Sequence, residues 1–249
     1  MISVRGRSWL RRRPSRPAER DQPGTGAAHV VAVPGLGLST AVVRRTLDRL
    51  PGVARTVVLL PGYGRRAPRG TPVAPGQLAA RVVDRLGDGG PVVLVGHSAS
   101  CQVVAEATRR APDRVAALVL VGPTTDPRAA TWPALVRRWL RTAAHERPGQ
   151  IPLLVRAYAR TGLVSMARGM GAARRHRLDR ILAGVPCPVL VVRGRDDAIC
   201  PADWAAALAT AAPRGTAETL AGAHMVPITH SQVLAERIAA FVEDQVVER

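Results

Sequence analysis

Apolar residues along this chain fall into short unbroken runs separated by amphipathic stretches. "HVVAVPG" (29–35), "RTVVLLPGYG" (55–64), "GPVVLVGHS" (90–98) and "RVAALVLVGP" (114–123) are such runs, each with a glycine or proline at a boundary. A run without polar alternation predicts a strand covered on both faces, as in a parallel sheet flanked by helices. Between the runs, "STAVVRRTLDRL" (39–50) has helical spacing and opens on capping residues. "APGQLAARVVDRLG" (74–87) is helical and closes on glycine, and "ASCQVVAEATRRAP" (99–112) stops at Pro112. The alternating order predicts an α/β fold with an open, mostly parallel, doubly wound sheet and helices on both faces.

The alternation breaks between 126 and 184. "TWPALVRRWLRTAAHERPG", "QIPLLVRAYARTGLVSMARG" and "ARRHRLDRILAG" all have helical spacing, with no strand run among them. It then resumes with "CPVLVVRG" (187–194), "PADWAAALATAAP" (201–213), "GTAETLAG" (215–222) and "HSQVLAERIAAFVEDQV" (230–246). The expected organisation is a core of 28–125 and 185–249 with a helical insertion at 126–184. Residues 1–27, with seven arginines and three prolines, read as a disordered arm.

Composition narrows this picture. A chain of 249 residues, 47% hydrophobic, is enough for one sizeable core. Aromatics are only 3%, so valine, leucine, alanine and isoleucine must build that core. No apolar run approaches the ~18 residues of a membrane helix, and the N-terminus lacks the apolar segment of a secretory signal. Cys101, Cys187 and Cys200 are odd in number and have no metal-ligand spacing, which fits a reducing cytoplasm. The net charge is +18, carried by arginine alone, with no lysine. One reading is an acidic partner such as a carrier protein or a membrane surface. The other, favoured by the missing lysine, is the bias of a GC-rich bacterial genome. Nucleic-acid binding is not expected, because no aromatic stacking positions interleave with the basic ones.

The chemistry concentrates in "GHSAS" (96–100). A strand ends there and a helix begins at once, so Ser98 is placed to stand off the sheet on a tight turn. Such a turn needs small flanking residues, and the new helix offers free N–H groups to a developing oxyanion. Ser100 adds a CH2OH group where glycine is usual; either the helix sits farther out or the hydroxyl finds a partner. A serine nucleophile needs a base and an orienting acid. Asp196 and Asp197 follow one strand run and His224 follows the next, so all can meet on one sheet edge.

Six stretches together resemble the α/β-hydrolase superfamily: "VPGLG" (33–37), "LLPGYGRR" (59–66), "GHSAS", "RAPDRVAALVLVGP" (110–123), "VVRGRDDAICP" (191–201) and "GAHMVPITH" (222–230). The resemblance runs from His29 to the end. It implies a triad of Ser98, Asp197 and His224, with oxyanion donors at the N–H groups of Leu36 and Ala99. Pro34 stands where the family usually has histidine. Alternatives for the acid are Asp196 and Asp126, and for the base His230. His97, Cys101 and Cys200 read as structural. The insertion fits the family's cap position, with Trp132, Trp139, Tyr158 and Met166 as candidate substrate contacts. Its twelve arginines read either as a solvated surface or as contacts to an anionic or carrier-bound substrate. The implied activity is hydrolysis of an ester, thioester or lactone of an apolar acyl substrate, without metal or organic cofactor. A lyase, perhydrolase or cyclase on the same scaffold, or a non-catalytic ligand receptor, are the alternatives.

Overall fold

β-branched residues favour extended backbone, and the four apolar runs join "CPVLVVRG" and "GTAETLAG" in a single six-stranded parallel sheet. The computed structural model describes residues 28–87 and 89–247; the arginine-rich arm expected at 1–27 lies outside the described residues. The chain enters the sheet with β1 (His29–Val33), crosses through α1 (Thr40–Leu47) and returns as β2 (Ala54–Val57). A small separate pair follows, β3 (Leu60–Pro61) with β4 (Gly64–Arg65), and then α2 (Pro75–Val83). The central units are β5 (Val92–His97), α3 (Ser100–Arg110) and β6 (Val115–Val121). Four helices come before the next strand: α4 (Trp132–Ala143), α5 (Ile151–Thr161), α6 (Leu163–Ala173) and α7 (Leu178–Leu182). The chain closes with β7 (Val189–Gly194), α8 (Ala202–Ala211), β8 (Gly215–Leu220), the single turn α9 (Val226–Thr229) and α10 (Ser231–Val242).

The run over 55–64, read as a strand ending in a glycine turn, is a sheet strand only at Ala54–Val57 and keeps the turn. Gly62 and Gly64 have φ of +88° and +79°, so the chain turns around Tyr63 instead of extending.

Strand order is β2-β1-β5-β6-β7-β8, and every adjacent pair is parallel. The order reverses between β1 and β5, which opens a crevice at their carboxyl ends. Both faces of the sheet's inner strands are buried. Val31, Val33, Leu94, Leu118 and Val191 face one core with α2, α3, α7 and α8. Val30, Ala32, Val93, Val119 and Val192 face the other with α1 and α10. This is why the strands read as unbroken apolar runs. Within the insertion, Ala173, Leu178 and Leu182 belong to the first core, so its last helix packs against α3 and α8.

Candidate active site

β5 leads straight into α3, and Ser98 sits on the turn between them with φ of +56°, the one non-glycine residue in the left-handed region among those described. Holding a serine there costs on the order of 1 kcal/mol or more. The turn is held by Ser98 N–H donating to Val121 O at 2.8 Å. Gly96 allows the close approach, since a Cβ there would lie 2.6 Å from Val104 Cγ2 and 2.9 Å from Cys101 Cα. The Ser100 hydroxyl has found partners. It accepts from His97 N–H at 2.8 Å and reaches Val33 O at 2.7 Å, so it ties the ends of β1 and β5 together. The departure from glycine is accommodated by hydrogen bonding.

Past β7, Asp197 is buried, and its Oδ1 accepts from the N–H groups of Ile199 (2.9 Å) and Cys200 (3.1 Å). Its Oδ2 lies 2.7 Å from His224 Nδ1. A carboxylate only accepts, so Nδ1 carries the proton and Nε2 keeps its lone pair. Burial pushes the Asp197 carboxyl up; the facing His224 and the two N–H groups outweigh this and hold it below the usual range. Burial likewise works against a charged His224, but the Asp197 carboxylate, with Glu146 farther off, raises its pKa above the ordinary value. Ser98 and His224 line one cavity, and among the described residues no hydrogen bond joins their side chains. Catalytic hydrogen bonds often tighten only when substrate is bound.

Three residues that sequence reading passed over shape this site. Arg193 is buried at the end of β7, and its guanidinium donates to the carbonyls of Cys200 (2.8 Å), Arg195 (2.9 Å) and Asp197 (3.3 Å). It moulds the acid loop from inside. A charged residue within an otherwise apolar strand run was its signal. Glu146, after α4, accepts from Met225 N–H at 2.7 Å and from Gln150 Nε2 at 2.6 Å, which latches the insertion to the residue beside His224. Gln102, buried in α3, donates to Thr124 O (2.6 Å) and Ala173 O (3.0 Å).

The other candidates lie elsewhere. Asp196 is exposed and lines a separate arginine-rich cavity of about 490 Å³. Asp126 is buried, yet it pairs with Arg128 (2.7 Å) and Arg138 (2.8 Å) and not with a histidine. His230 Nδ1 meets Thr229 Oγ1 at 2.9 Å. His97 is buried beside His224, ring centroids 5.0 Å apart, and its Nε2–H donates to His224 O at 3.1 Å. Burial lowers its pKa to about 3, so it stays neutral and props the loop. Cys101 and Cys200 are buried, and burial pushes both thiols well up. The N–H groups of Leu36 and Ala99 donate to nothing among the described residues, as free oxyanion donors must.

Two apolar chambers meet over His224. One, of about 300 Å³, contains Ser98 and is walled by Leu36, Trp132, Trp139, Tyr158 and Met166. The other, of about 410 Å³, is walled by Glu146, Ile151, Leu154 and Val155. Trp139, Tyr158, Ile199, His224 and Met225 border both. All four substrate contacts expected from the sequence thus line the Ser98 chamber.

Residues 30–237 match the model of the alpha/beta hydrolase family. No curated protein matches the chain. Among solved structures, a hydrolase from Oleispira antarctica is similar at a TM-score of 0.76 and 15% identity, covering 90% of this chain and 94% of that one. An esterase from Exiguobacterium antarcticum has a TM-score of 0.76 and 17% identity, covering 91% and 94%. An enol-lactonase from Burkholderia xenovorans LB400 has a TM-score of 0.70 and 18% identity, covering 90% and 95%. At these identities the likeness is one of fold.

Proposed function

The chain belongs to the alpha/beta hydrolase family, and from that premise we propose that it is a serine hydrolase that cleaves an ester, thioester or lactone with an apolar acyl part. The observation that carries this reading is Ser98 on its strained turn, in one cavity with a His224 that is already oriented by Asp197 at 2.7 Å. His224 Nε2 takes the Ser98 hydroxyl proton as Oγ bonds to the substrate carbonyl carbon. The carbonyl oxygen becomes an oxyanion held by the N–H groups of Leu36 and Ala99. As the oxyanion collapses, the bond to the leaving group breaks and His224 returns the proton to that group. Water, deprotonated by His224, then releases the acid and restores Ser98. Asp197 accepts from the His224 Nδ1–H throughout and steadies the imidazolium whenever it forms. No step calls for a metal or organic cofactor. The apolar lining of both chambers supports an apolar group on each side of the scissile bond. The similar esterase and enol-lactonase structures are in keeping with an ester or lactone.

Fluorophosphonate labelling tests this directly. The purified protein takes one adduct at Ser98, located by mass spectrometry, and Ser98→Ala takes none. A folded parent protein that stays unlabelled, or that labels elsewhere, sinks the reading.

A further inference from the structure

Nine large apolar side chains are exposed among the described residues, and eight of them stand on α4, α5 and α6. Leu140 is 57% exposed, Val155 60%, Val164 71% and Leu163 76%. They stand on the helices that wall the two chambers. Val136 and Trp139 rim the Ser98 chamber, and Val155 rims its neighbour. Leu163 and Val164 stand one helical turn before Ala167, which lines the first. An exposed apolar field of this kind marks an interaction site.

Arginine surrounds it. Arg147 after α4 and Arg156 and Arg160 on α5 are exposed with no side-chain partner among the described residues; Arg137 and Arg141 on α4 are exposed too, and line the neighbouring cavity that also holds Asp196 and Asp203. α4, α5 and α6 contain no Asp or Glu, and Glu146 is turned inward to Met225 and Gln150. The face is therefore apolar at its centre and net positive at its edge.

That charge selects the occupant. Segment 1–27 carries seven arginines and is repelled. A second copy in a two-fold contact would set arginine against arginine. Leu140, Leu163 and Val164 line neither chamber, so these exposed side chains are not seated in either concavity as a peptide's anchors would require. We propose that this face rests on an anionic lipid surface, the apolar side chains entering the headgroup–acyl boundary and the arginines meeting lipid phosphates. No helix among the described residues is long and apolar enough to cross a membrane, so the attachment is peripheral. The chamber mouths then open toward the lipid, where an apolar ester partitions. Lipid binding needs no turnover, so this inference stands apart from the hydrolase reading.

The test uses the full chain in a vesicle flotation assay. Vesicles of phosphatidylcholine alone are compared with vesicles that include phosphatidylglycerol. The parent protein floats with the anionic vesicles and little with the neutral ones. L140S/L163S/V164S changes only side chains that line neither chamber, and it weakens binding to anionic vesicles by about tenfold or more. Thermal melting confirms that the triple variant is folded; Leu163→Ser alone carries the test if it is not. A parent protein that ignores anionic vesicles overturns the proposal, as does a folded variant that binds them as tightly as the parent, which would assign the binding to charge on the arm. Retention of an acidic protein without vesicle binding overturns it too.

Discussion

Ser100 shows how one side chain can take the place of a backbone requirement. A glycine there would let the α3 helix approach β5 freely; the serine instead fills the space and bonds to His97 N–H and Val33 O. Ser100→Ala leaves that buried N–H and carbonyl short of a partner. The expected loss is about 1–3 kcal/mol of stability, seen as a Tm lower by several degrees in calorimetry; an unchanged Tm would mean the hydroxyl is replaceable by water. Glu146 acts on the same site through charge. In the proposed mechanism His224 must be neutral to accept the Ser98 proton, so the rate falls as pH drops through its pKa. That pKa is raised, hence the acid limb of the kcat/KM profile lies above the ordinary histidine value of about 6.5. The groups facing His224 are Asp197, neutral His97 and Glu146. Glu146→Gln keeps an acceptor for Met225 N–H, and the otherwise unpartnered Gln150 Oε1 can turn to meet the new amide. The limb then moves to lower pH with little change in Tm, whereas a limb that stays put would deny Glu146 any electrostatic role.

At the scale of elements, the insertion is fastened to the core through ion pairs as well as through packing. Asp126 follows β6 and holds Arg138 of α4, while Arg128 spans Asp126 and Asp203 of α8. Asp126→Asn leaves a largely buried guanidinium without its counter-charge. The cost is about 2 kcal/mol or more, below the ~3–5 of a fully buried pair because Arg128 is half exposed and screened. A drop in Tm of about 4–8 °C follows. Ser98 should still label with fluorophosphonate in that variant, whereas Asp197→Asn should slow labelling sharply. The reverse pattern would move the acid to Asp126. The sequence could place Asp196 and Asp197 just past β7, because loop and strand are contiguous, and the family resemblance favoured Asp197 of the two. It could not announce Glu146 or Arg138, whose partners lie 79 and 12 residues away and are chosen by how α4 docks. The strand runs were legible because burial on both faces leaves an unbroken apolar signature. The β3–β4 pair was not, because two-residue strands on either side of a glycine turn have no apolar period of their own.

For the whole molecule, the crevice between β1 and β5 brings Leu36 and Ser98 together, and the parallel order carries Asp197 and His224 to the same edge. That convergence follows from strand order, which alternation of strands and helices constrains. What alternation leaves open is the outer face of α4–α6, since exposure there depends on which stripe of each helix the core takes. The charge of +18 acts on the molecule at large, where like charges repel and oppose the compact state. Added sodium chloride shortens the screening length from about 30 Å at 0.01 M to about 8 Å at 0.15 M. Repulsion between distant arginines is screened away first, while the buried Asp197–His224 and Asp126–Arg138 contacts, under 3 Å, are barely touched. Tm should therefore rise with sodium chloride in a thermal-shift series; a falling Tm would mean that exposed ion pairs outweigh the repulsion. Binding to anionic vesicles must respond in the opposite sense, because the same screening removes its attraction. A salt titration that weakens flotation while raising Tm thus separates release from the lipid from loss of fold.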